Sequence, residues 1–144
     1  MKRNGIIISL FICLGLTFAF TSCEKESKCN YDQKAMIVSE TEFENAPDDP
    51  HMHIVNMEIK GDCLKIKFNS GGCSGNSWVV KLVAQEGIAK SNPPIRGVKL
   101  SLDNQEYCEA SIHKEISFNI KSLRVEGTKK VQLDVSGNTI LYKY

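Results

Sequence analysis

The sequence predicts an all-β protein: a single antiparallel, Ig-like β-sandwich of about seven to nine strands. Three observations carry that expectation. Apolar and polar residues alternate through most of the chain from Met36 onward, the pattern of strands with one wet face and one dry face. Turn-forming residues fall between the alternating runs. No window of about 11 residues or more keeps a helical period with capping signals at its ends.

Val55, Met57 and Ile59 alternate with Asn56, Glu58 and Lys60, and after Gly61-Asp62 the beat resumes as Leu64, Ile66 and Phe68 against Lys65, Lys67 and Asn69. A two-residue linker of that composition closes a tight hairpin. Gly71-Gly72 and Gly75 make a pliable stretch before Trp78, Val80 and Leu82. Pro93-Pro94 interrupts the chain ahead of Val98, Leu100 and Leu102, because proline lacks a ladder donor. Ile116/Phe118/Ile120, Val131/Leu133/Val135 and Ile140/Tyr142/Tyr144 complete the series, the last two runs joined at Gly137-Asn138.

Composition separates the chain into three parts. Residues 1–22 read as a lipoprotein signal peptide: Lys2 and Arg3 are followed by sixteen nearly apolar residues, Gly5 to Phe20, then small Thr21-Ser22. That span is shorter than the ~20 residues a membrane helix needs, which favours removal over retention. The ending Phe20-Thr21-Ser22-Cys23 resembles a bacterial lipobox, so Cys23 is expected to become the lipidated, palmitate-bearing first residue of the mature protein. Residues 23–34 are polar and charged and read as the lipidated N-terminus and tether. Residues 35–144 then form the one sandwich domain, a size typical of single domains. The leader carries two of the 18 basic residues and no acidic one. What remains is near neutral, with the signs interspersed, and leaves no electrostatic footprint for nucleic acid.

Export also dictates a reading of the cysteines. With Cys13 in the leader and Cys23 lipidated, Cys29, Cys63, Cys73 and Cys108 remain, an even set that reads as a disulfide framework. The strand between Cys63 and Cys73 spans ~20 Å over six residues, against the ~7 Å a disulfide tolerates between Cα atoms. That removes Cys63–Cys73. Cys108 is in phase with apolar Ala110 and Ile112, and Cys63 with Lys65 and Lys67. Those phases favour Cys73–Cys108 within the domain and Cys29–Cys63 as an external staple.

Catalytic signatures are absent from the pattern, and the expectation is a protein without enzymatic activity. Gly72-Cys73-Ser74-Gly75-Asn76 imitates a nucleophile elbow, but asparagine stands at the second glycine and no helix follows. The metal candidate is Asp48-Asp49-Pro50-His51-Met52-His53: His51 and His53 two apart on a strand would share a side, and Asp49 could add a carboxylate. Zinc wants a third fixed ligand, and the remaining histidine, His113, is remote in sequence. A plain polar loop is the simpler reading, and no cofactor is expected beyond the covalent lipid. Trp78, Tyr142 and Tyr144 lie in phase with core positions. Tyr107 stands alone in a loop; the four aromatics Trp78, Tyr107, Tyr142 and Tyr144 admit carbohydrate as a partner, though aromatics at strand period are more often core than platform.

Gly61-Asp62-Cys63-Leu64-Lys65-Ile66, the Gly71 to Trp78 loop, Pro93-Pro94, Val98 to Leu102, Tyr107-Cys108-Glu109-Ala110 and Ile116 to Leu123 together carry a likeness. Over Gly61 to Leu123 the chain is similar to a group of small, uncharacterised lipoproteins of the Bacteroidota. The resemblance implies an outer-membrane anchor facing the periplasm or the cell surface; Glu24 and Glu26 behind Cys23 look like surface-export signals of such bacteria. It implies no activity. The expectation is therefore an envelope lipoprotein, held to the bilayer by its acyl chains, that serves as a binding or accessory module with an envelope protein partner. A metal-binding role for the His51/His53 loop is the alternative.

Overall fold

Alternation becomes two facing sheets in the computed structural model, which describes residues 30–144. The leader, Cys23 and Cys29 lie outside those residues. In chain order the elements are β1 (Gln33–Lys34), β2 (Met36–Val38), α1 (Glu40–Asn45), β3 (His53–Lys60), β4 (Cys63–Gly72), β5 (Val79–Gln85), β6 (Ile95–Asp103), β7 (Ala110–Asn119), a 3₁₀ turn at Lys121–Leu123, β8 (Lys130–Val135) and β9 (Asn138–Lys143). One sheet has the order β1-β7-β4-β3 and the other β2-β5-β6-β8-β9. Leu64, Ile66, Phe68 and Phe118 of the first meet Leu82, Leu100, Leu102, Leu133 and Tyr142 of the second in one core. Each such burial is worth ~1.5–3 kcal/mol, so the inward half of the alternation is what holds the layers together.

The predicted sandwich is thus present, with nine strands among the described residues, but its sheets are mixed rather than purely antiparallel. β1 pairs in parallel with β7, β2 with β5, and β6 with β8. The first two arise from one device. Residues 33–38 run along the sandwich edge, and the chain passes from one sheet to the other at buried Ala35. Gln33–Lys34, placed by composition in the tether, is already strand, and Asp32 before it bonds to Ser117 through its backbone and its carboxylate.

Two further departures are local. The last hairpin turns at Ser136-Gly137, one residue earlier than expected, since Val135 pairs with Asn138. Both turn residues have positive φ (49° and 82°), the conformation that matches a two-residue hairpin to strand twist. The second departure is α1. Ser39 and Glu42 form a reciprocal capping box, and Lys99 Nζ closes the other end on the carbonyls of Phe43, Glu44 and Ala46. No helix among the described residues is long and apolar enough to cross a membrane.

At one end of the sandwich Tyr142, fully buried, donates its hydroxyl to Asp62, and Arg124 bonds to both at 3.0 and 2.7 Å. Burial first, and then the Asp62 carboxylate, push the Tyr142 phenol up to about 12. Arg124 also lies over the Tyr144 ring at 5.0 Å. The opposite end is built differently.

Candidate functional site

Three loops meet at the end of the sandwich where Gly72 pairs with Ala110: residues 46–52, 73–78 and 104–109. Glu106 is their hub. Its Oε2 accepts the backbone N–H groups of Cys73 (2.5 Å), Ser74 (2.9 Å) and Gly75 (2.9 Å), and Oε1 accepts the Ser77 hydroxyl at 2.8 Å. The amides of Gly75 and Ser74 foremost hold this carboxyl down at about 2, because a carboxylate that collects N–H donors strongly favours its charged form. Two glycines make the wrap feasible. Gly75 adopts φ +68°, which an L side chain resists. A Cβ on Gly72 would stand 2.7 Å from Glu106 Oε2 and 2.8 Å from the Trp78 ring.

Next to this grip the Cys73–Cys108 disulfide joins the same two loops, with Cα atoms 4.8 Å apart. The expected pairing is present, although Cys108 is exposed: β7 begins only at Ala110, so the inward phase does not extend back to it. Cys73 therefore has no thiol to offer as a nucleophile, and the segment runs into strand β5 rather than a helix. Cys63 is disulfide-bonded as well; Cys29, its expected partner, is outside the described residues.

Asn104 connects the third loop. Its Nδ2 donates to Asp49 Oδ2 and to the Gly71 carbonyl, both at 2.8 Å, and its Oδ1 accepts the Glu106 amide. Asp49 also accepts Ser70 Oγ at 2.7 Å and the His51 amide at 2.9 Å. Burial would raise the Asp49 carboxyl, but the bonds from Asn104 and Ser70 prevail and lower it. This carboxylate is committed to a structural knot. Among the described residues no three of His, Cys, Asp and Glu gather as a metal set. His51 and His53 line one cleft, but not as two residues of a strand: His51 lies in the turn before β3, which begins at His53. The strand register brings the third histidine into line. His53 stands opposite Asn69, and Asn69 opposite His113. Two strand spacings of ~4.8 Å separate the two rings' strands.

The result is a cleft of about 510 Å³, lined in part by His51, His53, Asn69, Tyr107, Glu109 and Ser111. Tyr107 is 95% exposed, more than any other large hydrophobic side chain among the described residues. It is held between Glu106, gripped by its loop, and Cys108, held by its disulfide. The sequence singles out His51, His53 and Tyr107 but not Glu106 and Asn104, two polar residues in the loop between β6 and β7. The signal lay in the glycine pattern: Gly72 and Gly75 demand a close approach, though nothing local says what approaches. Trp78 is half-buried with its ring 6.1 Å from Phe68, a core neighbour as its phase predicted.

Comparison with known proteins places the fold. No family model and no curated protein matches the chain. Among solved structures it resembles a protein of unknown function, DUF1344, from Bacteroides vulgatus (TM-score 0.55, 17% identity, covering 78% of this chain). It also resembles a NigD-like immunity protein from Bacteroides caccae (TM-score 0.51, 12% identity, covering 76% of this chain). This chain spans 56% and 59% of those two chains. The likeness is one of fold, shared with proteins of the Bacteroidota.

Proposed function

We propose that this protein is an outer-membrane lipoprotein, attached through acyl chains on Cys23, that works as a non-catalytic binding or accessory module. The carrying observation is Tyr107: a large aromatic side chain left almost wholly in water by a loop fixed on both sides of it. Rigid scaffolds that present exposed side chains from loops are the usual architecture of recognition, and tyrosine is enriched among the anchors of such surfaces. Fold company that includes an immunity protein and a protein of unknown function is compatible with a role other than catalysis.

The position of the cleft suits an anchored protein. Asn30, the first described residue, accepts a hydrogen bond from Ser117, whereas the cleft reaches Ser111 on the same strand. Six residues of strand at ~3.4 Å put ~20 Å between them. A tether entering beside Ser117 leaves the Tyr107 loop at a distance from the point of attachment.

Fractionation of cells expressing the full chain with a C-terminal tag tests the anchor. The protein is expected in the outer membrane, and Cys23→Ser is expected to move it to the soluble fraction. Unchanged membrane partition of that variant would refute lipid attachment. A photo-crosslinking residue at position 107 tests the binding role, an adduct with one defined envelope component being the expected product. A crosslink pattern indistinguishable from that of a probe at Lys143, on the far end of β9, would refute it.

A further inference from the structure

We infer that the cleft beside Tyr107 is a saccharide site for a neutral pyranose ring, with Tyr107 as the stacking platform. This inference rests on the reading of the chain as a binding module and names the chemistry of its ligand.

The lining selects among ligand classes. A phosphate or sulfate group would need a cationic donor, but the residues that line this cleft include no lysine or arginine and do include the carboxylates of Glu106 and Glu109. A cation would need gathered carboxylates, yet the Glu106 oxygens are saturated by the 73–77 loop. The cleft surface is mixed, carbon and polar in about equal parts, and an aliphatic ligand would leave the polar groups of His51, His53, Asn69 and Ser111 unpaired. What these walls do suit is a ring with many hydroxyls. Imidazole, amide, hydroxyl and carboxylate groups supply both donors and acceptors, as alternating sugar hydroxyls require.

Sugar rings also carry an apolar C–H face, which is why a flat aromatic platform complements them. Tyr107 meets that need at low entropic expense, since its loop is fixed before any ligand arrives and its side chain has only two torsions to settle. A volume of about 510 Å³ falls within the ~300–1,000 Å³ range of small-ligand sites. Val55, also exposed, lines a smaller groove of about 390 Å³ between β3 and β9 together with Asn56, Asn138 and Thr139, but that groove offers no flat ring for a sugar face.

Titration of the purified full chain with a panel of neutral gluco-, manno-, galacto- and xylo-oligosaccharides, run beside sialylated and sulfated glycans, decides the matter. At least one neutral member should bind, Tyr107→Ala should weaken it roughly three- to tenfold or more, and Tyr107→Phe should retain it. His53→Ala should weaken it by a smaller factor, and circular dichroism should show every variant folded. Absence of binding by all neutral members at millimolar concentration would overturn the inference, as would binding confined to the charged glycans. Neutral binding indifferent to Tyr107→Ala would overturn it too. A defined protein adduct at position 107 with no glycan bound would sink the saccharide inference and leave the binding-module reading standing.

Discussion

Both ends of this sandwich are organised around one carboxylate, and they use it to opposite effect. Asp62 is satisfied by side chains, the Tyr142 hydroxyl and the Arg124 guanidinium, and its network draws the tyrosine entirely out of water. Glu106 is satisfied mostly by backbone amides of a distant loop, and its network leaves the neighbouring tyrosine at 95% exposure. One end closes the core; the other holds a surface open. A carboxylate hub is therefore no guide to function by itself, and the fate of the adjacent aromatic ring distinguishes closure from presentation.

The sharpest way to break the comparison is to truncate the buried ring. Tyr142→Ala removes a fully buried aromatic side chain, a change that costs ~3–5 kcal/mol, and urea denaturation should show an unfolding free energy lower by that amount, through an earlier midpoint at unchanged slope. Tyr142→Phe keeps the ring and strips the hydroxyl from Asp62 and Arg124. It should cost ~1–3 kcal/mol. Equal losses from the two variants would mean that the hydrogen bonds, not the ring, close this end.

Next in size is the covalent clamp at the other end. The Cys73–Cys108 bridge joins residues 35 apart, and a loop of that order contributes ~2–4 kcal/mol, chiefly by restricting the unfolded chain. The double variant Cys73→Ser/Cys108→Ser should lose that much in the same assay while Tyr142 fluorescence in the folded baseline stays put. A loss under about 1 kcal/mol would show the Glu106 grip to be sufficient alone.

These two ends also differ in how far the sequence reveals them. Gly61-Asp62 and the flanking alternation were legible because a hairpin is a local object, with its turn and its register written in adjacent residues. Ser136-Gly137 was misplaced by one because Gly137-Asn138 is an equally good turn pair by composition. α1 carried its capping box openly in Ser39 and Glu42, but six residues are too few for periodicity to register. β1 and β2 are two and three residues long, so the parallel pairings they make depend on distant strands. The site followed the same rule. His51, His53 and Tyr107 stood out by residue type, whereas Glu106 acts on amides 31 to 33 positions away, a separation no local pattern spans.

A smaller and more specific effect comes from titrating Glu106. Its unfolded value is near 4.3 and its folded value is about 2, so the carboxylate's stabilisation is complete above ~4.3 and is lost as pH falls through about 2. The amide resonances of Ser74 and Gly75 should stay constant down to about pH 4 and then titrate with a midpoint near 2. In Glu106→Gln that titration should vanish. A midpoint near 4.3 in the native chain would mean that the three N–H donors do not grip the charged form.

Smallest of all in stability is the change that matters most to the proposed role. Tyr107→Ala removes a ring that is 95% exposed, and an exposed substitution of this kind falls within about 0.5 kcal/mol of neutral. Set beside Tyr142→Ala, the same chemical truncation should differ several-fold in denaturation energy while the order reverses for ligand binding. Should Tyr107→Ala prove as destabilising as Tyr142→Ala, the ring would have to pack against the domain in solution, and the Glu106 end would then be a second closure rather than a presented face.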